Sequence, residues 1–100
     1  MPSFSTEVAH QLGREEATTR LKNFVERVRE HYKDQVSNLQ GEWSEHTLNI
    51  AFTTYGFPIS ATVDVLEDAV KLNGQLPFAA VAFRGKIEQT IASEIKKVVS

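Results

Sequence analysis

Imidazole is the side chain whose charge changes nearest neutral pH, so the histidines are the first places to look for proton transfer. The sequence has three, His10, His31 and His46. Glu15 and Glu16 follow His10 closely enough for an imidazole–carboxylate pair. Such a pair does general acid–base work only where a concave site also brings it a reacting partner. A loop histidine hydrogen-bonded to the start of the following helix satisfies the same spacing, and the segment supports that reading better. His31 lies among charges at a predicted helix end, where capping or solvation is expected. Glu42, Ser44, Glu45 and His46 gather around a predicted hairpin turn. They are ligand types for a divalent ion, but neighbours this close in a turn splay to opposite faces, and no second cluster completes a coordination sphere. Ser44 lacks the strand–turn–helix elbow of a nucleophile, and Leu72–Leu76 reads as a strand end rather than a phosphate loop. With no cysteine in the chain, thiolate metal sites and thiol nucleophiles are absent as well. The expectation is a protein that is not an enzyme, with no catalytic, cofactor-binding or metal-binding residues.

Leu76-Pro77-Phe78-Ala79-Ala80-Val81-Ala82-Phe83-Arg84-Gly85 says more. Read as a helix beginning at Pro77, it puts Ala80 and Phe83 on a core stripe with Ile87 and Ile91, and Phe78, Val81, Ala82 and Gly85 on the other side. A helix apolar all round is either enclosed or in contact with something else. In the first case the sheet curls around this end and Phe78 fills the gap. In the second, Phe78, Val81, Ala82 and Phe83 form an apolar contact surface, with Arg84 and Lys86 at a polar rim. A glycine within a helix costs about 1 kcal/mol relative to alanine, so Gly85 adds the expectation of a close-approaching backbone. Trp43, Tyr55 and Phe57 share an apolar parity, which favours core packing; the functional readings are that they join this surface or line a small apolar cavity beside it.

These residues have to be held by something. Phe4, Thr6 and Val8 alternate with polar neighbours as in a strand with one buried face. From Gly13 the period lengthens, with Ala17, Leu21, Phe24, Val25, Val28 and Tyr32 forming the stripe of an amphipathic helix that opens on Glu15 and Glu16. Alternation then returns in four runs separated by Ser44-Glu45, Tyr55-Gly56 and Glu67-Asp68. Val36 is out of phase with Leu39, which predicts a bulge or a late strand start. Gln40, Glu42, Asn49, Thr53, Ser60, Thr62, Asp64, Lys71, Asn73 and Gln75 share the parity that faces water. A helix from Pro77 ends the chain. The predicted fold is α+β, a single domain over residues 1–100. Its order is β-α-β-β-β-β-α, a two-layer sandwich with both helices on one face of an antiparallel sheet.

Composition agrees with a folded domain: 100 residues, 41% hydrophobic and 24% charged. A net charge of −2 disfavours generic binding to nucleic acid. Residues 14–33 are basic on balance and residues 34–70 acidic, which reads first as solvated surface with a dipole moment and, more sharply, as orientation against an anionic partner or head-to-tail self-association. There is no apolar run long enough for a membrane span, and the start carries neither a basic n-region nor an apolar h-region. A cytoplasmic location is expected.

His10-Gln11-Leu12-Gly13-Arg14-Glu15-Glu16-Ala17, Arg20-Leu21, the Gly56-Phe57 corner, and Gly74-Gln75-Leu76-Pro77-Phe78-Ala79 followed by Ile87-Glu88 resemble a small bacterial family, the polyhydroxyalkanoic acid system proteins. The resemblance spans nearly the whole chain and brings no catalytic residues with it. It implies an accessory role in polyester storage, with a granule surface or a granule-associated protein as partner. The element order also resembles a reduced helix-grip, or START-like, fold. That implies a second possibility, a carrier of an acyl or hydroxyacyl ligand between the sheet and the C-terminal helix. A homodimer, through the apolar segment or an unpaired sheet edge, is a further expectation.

Overall fold

The structure is a computed structural model and describes residues 2–100. Strand β1 (Ser3–Ala9) leads into helix α1 (Arg14–His31). Four strands follow, β2 (Val36–Ser44), β3 (Thr47–Thr54), β4 (Phe57–Val65) and β5 (Ala69–Gln75). A short 3-10 helix (Phe78–Phe83) then runs into helix α2 (Arg84–Val99). All five strands form one antiparallel sheet in the order β1-β5-β4-β3-β2. The α+β architecture and the order of elements are those read from the hydrophobic periods.

Register explains why one face is apolar. Residues directly opposite in an antiparallel pair share a face, and Val8, Val70 and Val65 are aligned across three strands, as are Thr6, Leu72, Val63 and Leu48 across four. These inward rows meet Ala17, Leu21 and Val25 of α1 and Ile95 and Val99 of α2 in one buried cluster that also holds Phe4, Ile59, Leu76 and Ala80. Both helices therefore cover the same face. The opposite parity, from Ser5 and Asn73 through Thr62 and Asn49 to Glu42, faces solvent. The phase slip at Val36 is a bulge: the β2–β3 register shifts between Ser37 and Gln40, and Asn38 takes φ 54°.

α1 begins without a capping side chain of its own, because its N-cap is Gly13. Glu67, from the β4–β5 turn, supplies the missing acceptor, its Oε2 taking the Arg14 N–H at 3.4 Å. A carboxylate there also opposes the positive end of the helix dipole. At the far end of α2, Arg20 Nη1 donates to the Ser100 carbonyl at 3.0 Å, which ties the two helices together.

The C-terminal helix differs from its predicted form. Pro77 is extended (φ −68°, ψ 156°), and the next six residues wind as a 3-10 helix. α-Helix begins at Arg84, after Phe83 at φ −103°, ψ 6°. Alanine-rich composition favours helix here, but no side chain caps the segment, and the tighter winding leaves fewer orphan N–H groups. Gly85 consequently lies in the first turn of α2 instead of mid-helix, and a Cβ built on it meets nothing within 4 Å. Among the described residues, no other part of this chain approaches Gly85 closely. The β2–β3 turn is also shifted by one residue, to Glu45-His46, since Ser44 pairs with Thr47.

Candidate functional site

The Glu45-His46 and Leu66–Asp68 turns and the start of α1 lie at one end of the sheet, the acidic one. At the other end are the last turn of α1, the Tyr55-Gly56 turn and the exit of β5 into the 3-10 helix. The two ends differ in chemistry.

The turn end gathers the groups that suggested proton transfer. His10 is buried, and its ring is held by main chain on both sides. Nε2 lies 3.1 Å from the Leu66 carbonyl, and Nδ1 accepts the Leu12 N–H at 3.2 Å. A carbonyl can only accept and an N–H only donate, so the proton sits on Nε2. Both ring nitrogens are occupied by structural bonds. Glu15 turns instead to His46, with Oε1 2.5 Å from Nε2, on an exposed surface. A shallow concavity of about 330 Å³ adjoins it, lined by Arg14, Ser44, His46, Asp64 and Lys71 among others. Asp64 is engaged by the Thr47 hydroxyl at 2.9 Å. Among the described residues, no group of three or more His, Asp or Glu side chains is gathered to hold a cation.

The opposite end carries exposed apolar groups. The 3-10 winding repeats every three residues, which aligns Phe78 with Val81 and Ala80 with Phe83. Ala80 is fully buried and anchors the segment, with its N–H on the Pro77 carbonyl at 2.9 Å. Phe78 is 80% exposed, Phe83 51% and Val81 37%. Ala82, Arg84 and Lys86 are exposed as well. Phe83 rests against half-buried Phe57 with ring centroids 6.1 Å apart, which joins the 3-10 helix to the β3–β4 hairpin. Tyr55, in the turn of that hairpin, is 81% exposed. It takes φ 51° with Gly56 at 78°, as a two-residue turn with both centres left-handed requires. A bulky non-glycine side chain is disfavoured in that region. Tyr55 is therefore a residue that neither burial nor turn geometry selects.

Of the sequence candidates, Tyr55, Phe57, Phe78, Val81, Ala82, Phe83, Arg84 and Lys86 come to this pole. Trp43 does not. It pairs with Leu48 near the other end of the sheet, about 20 Å along β3 from Thr54 at the strand rise of about 3.3 Å per residue. It is half-buried, and Lys22 Nζ stands 5.4 Å from its ring centroid. Tyr32, expected in the core stripe of α1, is instead the helix C-cap and 50% exposed. The adjoining Lys33-Asp34 turn is the signal that the stripe had already ended.

No cavity between the sheet and α2 is among the two concavities described. The larger, about 550 Å³ and open, crosses the solvent face of β2 to β5 over the row Gly41, Ile50, Ala61 and Gly74. Its walls are amides and hydroxyls such as Gln40, Asn49, Thr62, Asn73 and Gln75. No helix among the described residues is long and apolar enough to cross a membrane.

In comparison with known proteins, residues 5–99 match the family described as "Putative polyhydroxyalkanoic acid system protein". No curated protein and no solved structure matches the chain.

Proposed function

The chain belongs to the polyhydroxyalkanoic acid system protein family, and from that premise we propose that it is a non-enzymatic accessory protein of cytoplasmic polyester storage that attaches to an apolar surface through its aromatic pole. The observation that carries this reading is the exposure of Phe78 beside that of Tyr55 and Phe83. Large apolar side chains scattered singly on a surface need no explanation. Here Phe78, Val81 and Phe83 stand within one six-residue segment, and Phe57 links them to the Tyr55 turn. A polyester surface offers methyl and methylene groups with ester carbonyls between them. Phenyl rings and Val81 meet the first, while Arg84 and Lys86 at the rim can donate to the second.

Burying one exposed phenylalanine is worth about 2 kcal/mol, about thirtyfold in affinity. Sedimentation with amorphous polyhydroxyalkanoate particles tests the reading. The wild-type chain pellets with the particles, and a folded Phe78→Ser/Val81→Asp variant stays in the supernatant. Equal pelleting of the two removes this pole from the contact.

A further inference from the structure

We propose that the open edge of β1 is a docking surface for the β1 edge of a second copy of this chain, and that Arg84 and Glu88 of α2 hold it shut. β1 is an outer strand. Its inner edge is committed to β5, and the flanking bonds from His10 N–H to the Asp68 carbonyl and from Leu76 N–H to the Pro2 carbonyl put the even-numbered residues on that side. The main-chain groups of Ser3, Ser5 and Glu7 therefore point away from the sheet, where a further strand would bind. Two of them are already taken. Ser5 N–H donates to Glu88 Oε2 at 2.9 Å, and Arg84 Nη1 donates to the Ser3 carbonyl at 3.4 Å. A carboxylate and a guanidinium thus occupy one acceptor's place and one donor's place in a ladder that has no strand in it.

The edge suits its own copy. A two-fold axis through Ser5 sets Ser5 against Ser5, Ser3 against Glu7 and Phe4 against Thr6, so no like charges face each other and both polar faces continue into one sheet. The outward residues fall opposite one another as hydrogen-bonding pairs in this register. β2, the other outer strand, is interrupted by its bulge at Asn38, which limits its unbroken register with β3 to Gln40–Ser44, against Ser3–Ala9 for β1 with β5. Gly85 lies between the sealing pair, and a Cβ there would meet nothing within 4 Å, so packing does not demand the glycine. Its backbone freedom lets Arg84, at the start of α2, swing off the strand.

The test uses the purified chain without polymer, so its result is independent of the surface-binding reading. Sedimentation equilibrium of an Arg84→Ala/Glu88→Ala variant is expected to show dimerisation tightened by about tenfold or more over the wild type, and adding Ser5→Pro, which removes the central edge donor, is expected to reverse it. The chain has no cysteine, so a spin label on Ser5→Cys reads the interface directly, with the two labels close together in the dimer. Glu88→Ala alone serves should the double variant unfold. An unsealed variant that dimerises no more than the wild type, or a dimer indifferent to Ser5→Pro with its Ser5 labels far apart, overturns the proposal.

Discussion

The ring of Phe4 lies on the bare backbone of Gly74: a Cβ built on the glycine would stand 2.4 Å from Phe4 Cζ and 2.8 Å from the Ser60 carbonyl oxygen. The two residues are register partners across β1 and β5, on the face that the helices cover. Glycine weakens a strand on its own, and an aromatic ring laid across it restores the lost contact. Gly74 sits two residues before buried Leu76, where the chain leaves the sheet for the aromatic pole. The pairing thus fixes the strand from which the 3-10 helix departs.

Gly74→Ala is expected to cost about 1–3 kcal/mol, the usual range for overfilling a packed interior. The Phe4 ring can rotate or shift, but the Ser60 oxygen is main chain in a paired strand and cannot. Adding Phe4→Leu should therefore recover only part of the loss. Urea unfolding midpoints of the two variants measure this, with the denaturant slope unchanged if only the native state is strained. A Gly74→Ala chain as stable as the wild type would show that the ring does not occupy this space.

His10 is expected to act as a structural staple between the Leu66 carbonyl and the Leu12 N–H. His10→Leu leaves both main-chain groups unpaired in a partly buried setting, at about 1–3 kcal/mol for each that water does not reach. His10→Asn should lose less, since an asparagine can still accept the N–H two residues on, as in an Asx turn, while falling short of Leu66. Unfolding midpoints ordered wild type, Asn, Leu support the staple. Equal midpoints for the two variants argue against it.

Period and parity made the layers readable, because which face a side chain takes depends on its immediate neighbours in sequence. The alternation in Phe57–Val65 marks a strand wherever that strand is placed, and even the bulge was visible in the phase of Val36 against Leu39. What escaped reading depends on distant partners. Nothing near Gly13 announces that Glu67 will cap its helix, and nothing in the spacing of His10 and Glu15 shows that the carboxylate will turn to His46 instead. Winding after Pro77 departs from the expected α-helix because the alanines there suit a helix while no side chain caps its start. At the pole, the apolar residues were legible as a surplus. Their exposure was not, since it depends on where Ala80 anchors the segment.

Glu67→Ala is expected to loosen the start of α1 by about 0.5–1 kcal/mol, the worth of an N-terminal acceptor together with its charge on the helix dipole. Glu67→Gln should keep part of this, since an amide oxygen still accepts the Arg14 N–H. The carboxylate is exposed, so the advantage of Glu over Gln is expected to shrink in salt. Amide hydrogen exchange in residues 14–18 reads the local loosening, and unchanged protection there would show that water caps the helix as well.

Tyr55 separates stability from attachment most cleanly. Its backbone is left-handed at φ 51° and its ring is 81% exposed, so the folded chain gains little from the ring and bears the strain of the turn. Asparagine is the residue that such a turn prefers, above all before a glycine. Tyr55→Asn is accordingly expected to stabilise the fold by about 0.5–1 kcal/mol. If the aromatic pole meets an apolar surface, the same substitution removes a ring from the contact and weakens pelleting with polyhydroxyalkanoate particles by about tenfold, one ring's partial burial. A general loss of folding would move stability and binding in the same direction, whereas opposite movements are expected only when the ring serves the contact and not the fold. A Tyr55→Asn chain that is more stable and pellets as well as the wild type would remove Tyr55 from the pole and leave Phe78, Val81 and Phe83 to carry the attachment alone.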